Sequence, residues 1–174
     1  MTPAVLTDLF RHMRWADGEV WHAVLRAGDV SNDEVLRGLL LHLHAVQRVF
    51  LDVWKQRPFA IPEVSGFPNA TDIRLWSLPY YDEAEAFLDS LDERALMQPV
   101  TMPWAAAMAA QLGIPPATPT LAETIFQVTS HSTYHRGQVN ARLRDVGGEP
   151  PLVDYIAWIW FGRPEPAWLQ APSA

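Results

Sequence analysis

The sequence contains no cysteine, which excludes a disulfide framework, a thiolate-ligated zinc site and a thiol nucleophile carried by the protein itself. Positive charge is also scarce: 13 Lys and Arg stand against 20 Asp and Glu, for a formal charge of −7. No helix carries a basic stripe, so binding to a phosphate backbone would work against net repulsion, and nucleic acid is not an expected partner. Uninterrupted apolar runs of about 20 residues are missing as well, so no membrane partner is expected. The first twenty residues carry Asp8, Arg11, Arg14, Asp17 and Glu19 where a signal peptide would need an apolar core. These absences favour a soluble, cytoplasmic protein. Repeats and low-complexity tracts are also missing.

What remains is ordinary globular composition, 49% hydrophobic and 19% charged over 174 residues. That suits a single domain spanning 1–174, with an ordered core over about 1–162 and a loose, proline-bearing tail over 163–174. Thr2-Pro3 predicts a helix start, and Val5, Leu6, Leu9, Met13, Ala16, Val20 and Val24 continue at helical spacing to Gly28. Ser31 and Glu34 fit a capping box for a second helix, with a stripe of Val35, Leu39, His42, Leu43, Val46, Phe50 and Val53, stopped by Pro58. A third helix is expected over 72–96, regular from about Tyr80 because Pro79 precedes it.

Residues 97–119, with five prolines and an alanine-rich middle, leave irregular, extended and short helical readings open. Thr120 and Glu123 form a second capping box, followed by the stripe Leu121, Ile125, Val128, Ser132, Val139 and Leu143 up to Gly147-Gly148. The apolar segment 152–162 reads as a terminal helix or strand packed on the rest. Four long helices and a long crossover predict an all-α four-helix bundle.

The fourth helix contains His131-Ser-Thr-Tyr-His135. Residues four apart on a helix stand about 5–6 Å apart at Cβ on one face, so two imidazoles reach one ion. Such a pair arises by chance on many helices, but this one borders an apolar stripe, where a polar ring needs a partner. On the second helix His42 falls in the chosen stripe, whereas His44 points about 200° away. His42 is therefore the expected third ligand, and His12 and His22 are reserves with ordinary polar roles favoured. Three neutral imidazoles leave positions open for water or substrate, and nitrogen donors suit Zn²⁺ first, with Ni²⁺, Fe²⁺ and Co²⁺ as alternatives. Gln138, Ser132 and Asn140 are candidates to orient the rings. Arg136 and Arg142 are candidate anion clamps, weighed against the commoner role of ion pairing. No residue stands out as a general base.

These residues resemble the DinB-like superfamily, with its YfiT-type metal-dependent hydrolases and thiol transferases. The resemblance runs through LFRHMRWAD, LLLHLHAVQRVFLDVW, HSTYHRGQV and GGEPPLVDYIAWIW, and it implies His42 as the third ligand, eight residues before Phe50-Leu51. It further implies metal-dependent transfer of an exogenous low-molecular-weight thiol such as bacillithiol, mycothiol or glutathione. Hydrolysis by metal-activated water and a non-catalytic, metal-binding stress role are the alternatives. A small-molecule substrate and a homodimer, common among relatives, are also implied. The chain departs from the pattern at Gln47, where the family often has Glu, and at Val153, where it often has Thr.

Overall fold

The computed structural model describes residues 1–166 and 168. Helix α1 spans Pro3–Arg26, capped by the Thr2 hydroxyl, which accepts from the Val5 amide, with proline in the first turn. A 3₁₀ turn over Gly28–Asn32 leads to α2, Glu34–Trp54. The capping residue of α2 is Asp33, whose carboxylate accepts from the Leu36 amide, and not Ser31, which lies inside the 3₁₀ turn. The extra turn shifts the helix start by two residues and gives Asp33 a second role, since its carboxylate also receives Arg142 at 2.9 and 2.7 Å.

The expected third helix is divided into α3 (Ala70–Ser77), α4 (Pro79–Asp89) and α5 (Glu93–Leu96). Pro79 lacks an amide proton and takes the first position of a new helix; Asp92 caps another start by accepting from the Ala95 amide. The open segment resolves into α6, Ala105–Leu112, closed by Gly113 in the left-handed conformation, φ 71°. A lone bridge between Pro99 and Thr120 is the sole extended pairing among the described residues. Helix α7, Leu121–Asp145, opens with the Thr120–Glu123 capping box in both directions. Its stripe of Leu121, Ile125, Val128, Ser132, Val139 and Leu143 is buried throughout. The chain then forms α8, Tyr155–Trp160.

The architecture is the all-α bundle expected, with α7 packed along both α1 and α2 and with α3 and α4 completing it. One end of the core gathers Phe10, Leu51, Tyr80, Tyr81 and Ile125; the other gathers Trp21, Leu36, Leu40, Ile73 and Leu143. Burial of each large apolar side chain contributes about 1.5–3 kcal/mol. The tail expected to be loose differs in part: positions 167 and 169–174 lie outside the described residues, but Pro166 is buried and Trp168 lies 4.9 Å from the Tyr81 ring. Gly18 in α1 makes this possible, because a Cβ there would meet the Pro166 Cβ at 2.8 Å and the Trp168 ring at 3.1 Å.

Candidate metal centre

Helices α2 and α7 lie side by side, and His42, His131 and His135 meet along their seam. Each offers a ring nitrogen, and these nitrogens all lie within 4.8 Å of one another. Ring centroids are 5.7 Å apart for His42–His131, 4.4 Å for His42–His135 and 4.2 Å for His131–His135. The His131 Nε2 is buried with no hydrogen-bond partner, a costly state for an imidazole unless something else satisfies it. Burial, with His135 and His42 as neighbours, holds His131 down to about 4. Burial and then His135 also lower His42. Both rings are thus neutral at pH 7, the form that donates a lone pair to a metal.

Of the three candidates for orienting the rings, one does so. The His135 Nδ1–H donates to Gln138 Oε1 at 2.6 Å, and the Gln138 amide nitrogen donates in turn to the Tyr134 hydroxyl at 3.2 Å. That fixes the tautomer with Nε2 unprotonated. Ser132 instead accepts from Gln47, and the Asn140 carbonyl oxygen has no partner. The two candidate clamps are ion-paired, Arg136 with Asp17 at 2.8 Å and Arg142 with Asp33 at 2.7 Å.

A family model for the DinB family matches residues 3–166. The chain belongs to the DinB family. No curated protein matches it. A DinB-family bundle that brings one histidine from α2 and two from α7 together can hold a metal ion at the seam.

The stripe that selected His42 straddles the edge of the inward face of α2: its Leu43 and Phe50 are buried, but other positions face outward. His42 is exposed, and Val35 in the same stripe is 55% exposed, whereas His44 is 2% exposed. The inward face runs Leu36, Leu40, Leu43, His44, Gln47 and Leu51. It was disguised because two of its positions are polar, and they are satisfied by a network that no local pattern reveals. The Trp21 indole N–H donates to His44 Nε2 at 2.8 Å, His44 Nδ1–H donates to Gln47 Oε1 at 2.9 Å, and the Gln47 amide donates to Asp17 Oδ2 at 2.8 Å. Tyr81 donates to the same oxygen at 2.8 Å, and Arg136 donates to the other oxygen of Asp17. One carboxylate in α1 therefore ties α2, α4 and α7 together. Burial is the main reason the His44 ring is held below its ordinary range and the Tyr81 hydroxyl well above its own. Of the reserve ligands, His12 donates Nε2–H to the Val153 carbonyl at 2.9 Å, and His22 is exposed; neither approaches the seam cluster.

Proposed function

We propose that this DinB-family protein is a metal-dependent enzyme whose open three-histidine site serves transfer of a low-molecular-weight thiol to a small electrophile. The observation that carries the reading is the convergence of three ring nitrogens within 4.8 Å, one of them the buried and unpartnered His131 Nε2. His42, His131 and His135 are the ligands in this reading, with Zn²⁺ favoured over Ni²⁺, Fe²⁺ and Co²⁺ for nitrogen donors. An ion held there supplies a Lewis acid that lowers the pKa of a bound thiol or water. The protein's part is to present neutral imidazoles, keep the His135 tautomer fixed through Gln138, and leave the exposed His42 side accessible to a substrate. With no cysteine in the chain, the nucleophilic sulfur comes from the cosubstrate.

One observation favours a second reading, hydrolysis by metal-activated water. Arg136 and Arg142 are engaged by Asp17 and Asp33, so neither is a ready clamp for the carboxylates of a thiol cofactor. A metal-binding stress protein without turnover is the remaining alternative. Exposed Ile156, Trp160 and Phe161 on and beside α8 support a homodimer, and the acidic charge supports a cytoplasmic small-molecule role away from nucleic acid.

Elemental analysis of the purified protein beside His42→Ala and His131→Ala tests the ligands. The expectation is about one ion per chain and at least tenfold less in each variant; unchanged content in both variants removes the triad. A screen of bacillithiol, mycothiol and glutathione with 1-chloro-2,4-dinitrobenzene follows, with His135→Ala as the control. Turnover that depends on His135 supports transfer, and no turnover with any of the thiols rejects it in favour of water activation or metal holding.

A further inference from the structure

On the side of α7 opposite the histidine seam, α1, α7 and residues 153–155 enclose a groove of about 650 Å³. This is within the size range of small-molecule sites, about 300–1,000 Å³. Its walls combine apolar surface from Leu9, Phe126 and Tyr155 with polar groups of a particular kind. The hydroxyls of Thr129 and Thr133 donate to the backbone carbonyls of Phe126 and Thr129, so they offer only lone pairs to anything else, and one of those on Thr133 already accepts from Arg136 Nη2 at 2.9 Å. His12 uses Nε2–H on Val153, which leaves Nδ1 as an acceptor, and burial keeps that ring neutral. Asp154 begins α8 without a side-chain capping bond, so its carboxylate remains available.

Two buried atoms among the lining residues have no partner. Arg136 is 2% exposed, and its Nε is an unsatisfied donor. Asn140, one turn further along α7, has an unsatisfied carbonyl oxygen. Residues at this spacing share a helix face about 5–6 Å apart. A buried donor and a buried acceptor left open one turn apart on α7 are each unfavourable, and a ligand supplying the complementary pair would offset that. An anion would gain little, because the Arg136 charge is already matched by Asp17 and Asp154 adds a negative charge to the rim.

We propose that this groove is a second binding site, separate from the metal centre, for a neutral small molecule that carries a carboxamide-like edge on an apolar body. The amide carbonyl accepts from Arg136 Nε, the amide N–H groups donate to Asn140 Oδ1 and the neighbouring acceptors, and the apolar body lies against Leu9, Phe126 and Tyr155.

The test is a ¹H–¹⁵N NMR titration of the full, metal-stripped chain with benzamide, benzoate and toluene as probes. Benzamide is expected to give saturable shifts at groove residues of α1 and α7, with benzoate and toluene at least tenfold weaker. Asn140→Leu should weaken benzamide at least tenfold without lowering the melting temperature, since it removes an unsatisfied buried carbonyl. Gly137→Leu is the second variant: Gly137 lines the groove and a Cβ there meets nothing within 4 Å. It should keep the fold and block the probe to the same extent. The absence of saturable groove shifts, toluene or benzoate binding as well as benzamide, or unchanged benzamide affinity in a folded Asn140→Leu or Gly137→Leu protein overturns the proposal. The readout does not involve metal, so loss of the metal reading leaves this test intact.

Discussion

Replacing Asp17 by Asn is the most demanding perturbation of this bundle. The substitution conserves shape but removes the negative charge that Arg136 faces at 2.8 Å, with the two side chains 1% and 2% exposed. The guanidinium then remains buried without a counter-charge, which costs about 3–5 kcal/mol. The new amide also presents N–H groups where Gln47, Tyr81 and Arg136 all donate, so at least one buried donor loses its acceptor. Against a total stability of about 5–15 kcal/mol, a loss near 4 kcal/mol is a large share, about a thousandfold in the folding equilibrium. The same reasoning makes a less obvious claim about the compensated variant. Removing charge and donors together, as Asp17→Leu with Arg136→Met and Tyr81→Phe, leaves Gln47 its bond to Ser132 at 3.1 Å. That triple variant should return to within about 2 kcal/mol of the parent. Urea denaturation followed by circular dichroism measures both. An Asp17→Asn loss below about 1 kcal/mol, or a triple variant as unstable as the single one, would refute the account of a mutually dependent buried charge pair.

The chelator-treated protein should lose stability as pH falls from 6.5 toward about 4, because folded His131 is held to about 4 against an ordinary 6.5 and the unfolded chain binds more protons across that window. Melting temperatures over this range should fall less steeply in His131→Asn, and an identical slope would show that this ring is not a contributor. For the start of α2, Asp33→Ala should cost about 1–2 kcal/mol through the lost cap, while Ser31→Ala should stay within about 0.5 kcal/mol. Urea midpoints decide between them, and the reverse order would return the cap to Ser31.

The fold was legible where local rules and packing agree. Thr2-Pro3, the Thr120–Glu123 box and the buried stripe of α7 could be read directly, because each is a short-range pattern that tertiary contacts reinforce. The regular part of the third helix was read from about Tyr80, and Pro79 does begin α4 there; it was read too long at its other end, where Asp92 caps a separate start. The phase of α2 was lost for another reason. An inward face containing His44 and Gln47 looks polar until Asp17, Trp21 and Ser132 are brought to it from other helices, across 23 to 85 residues of sequence. The three seam histidines lie together even so, and the resemblance points to His42 without depending on helical phase. The tail contact of Trp168 required a glycine in the middle of α1, a signal visible in the sequence but mute about its partner.

Gln47 has an implication for how such chains can vary. Its amide is bracketed by an acceptor from α1 and a donor from α2, so replacing it by Glu would set a second carboxylate against Asp17 while leaving Arg136 as the single cation bonded to that cluster. Positions 17, 47 and 136 therefore behave as a fixed tally of charge. A sequence that places an anion at 47 must remove the one at 17 or add a cation nearby, and the three positions should drift through evolution as a set even though 119 residues separate the first from the last.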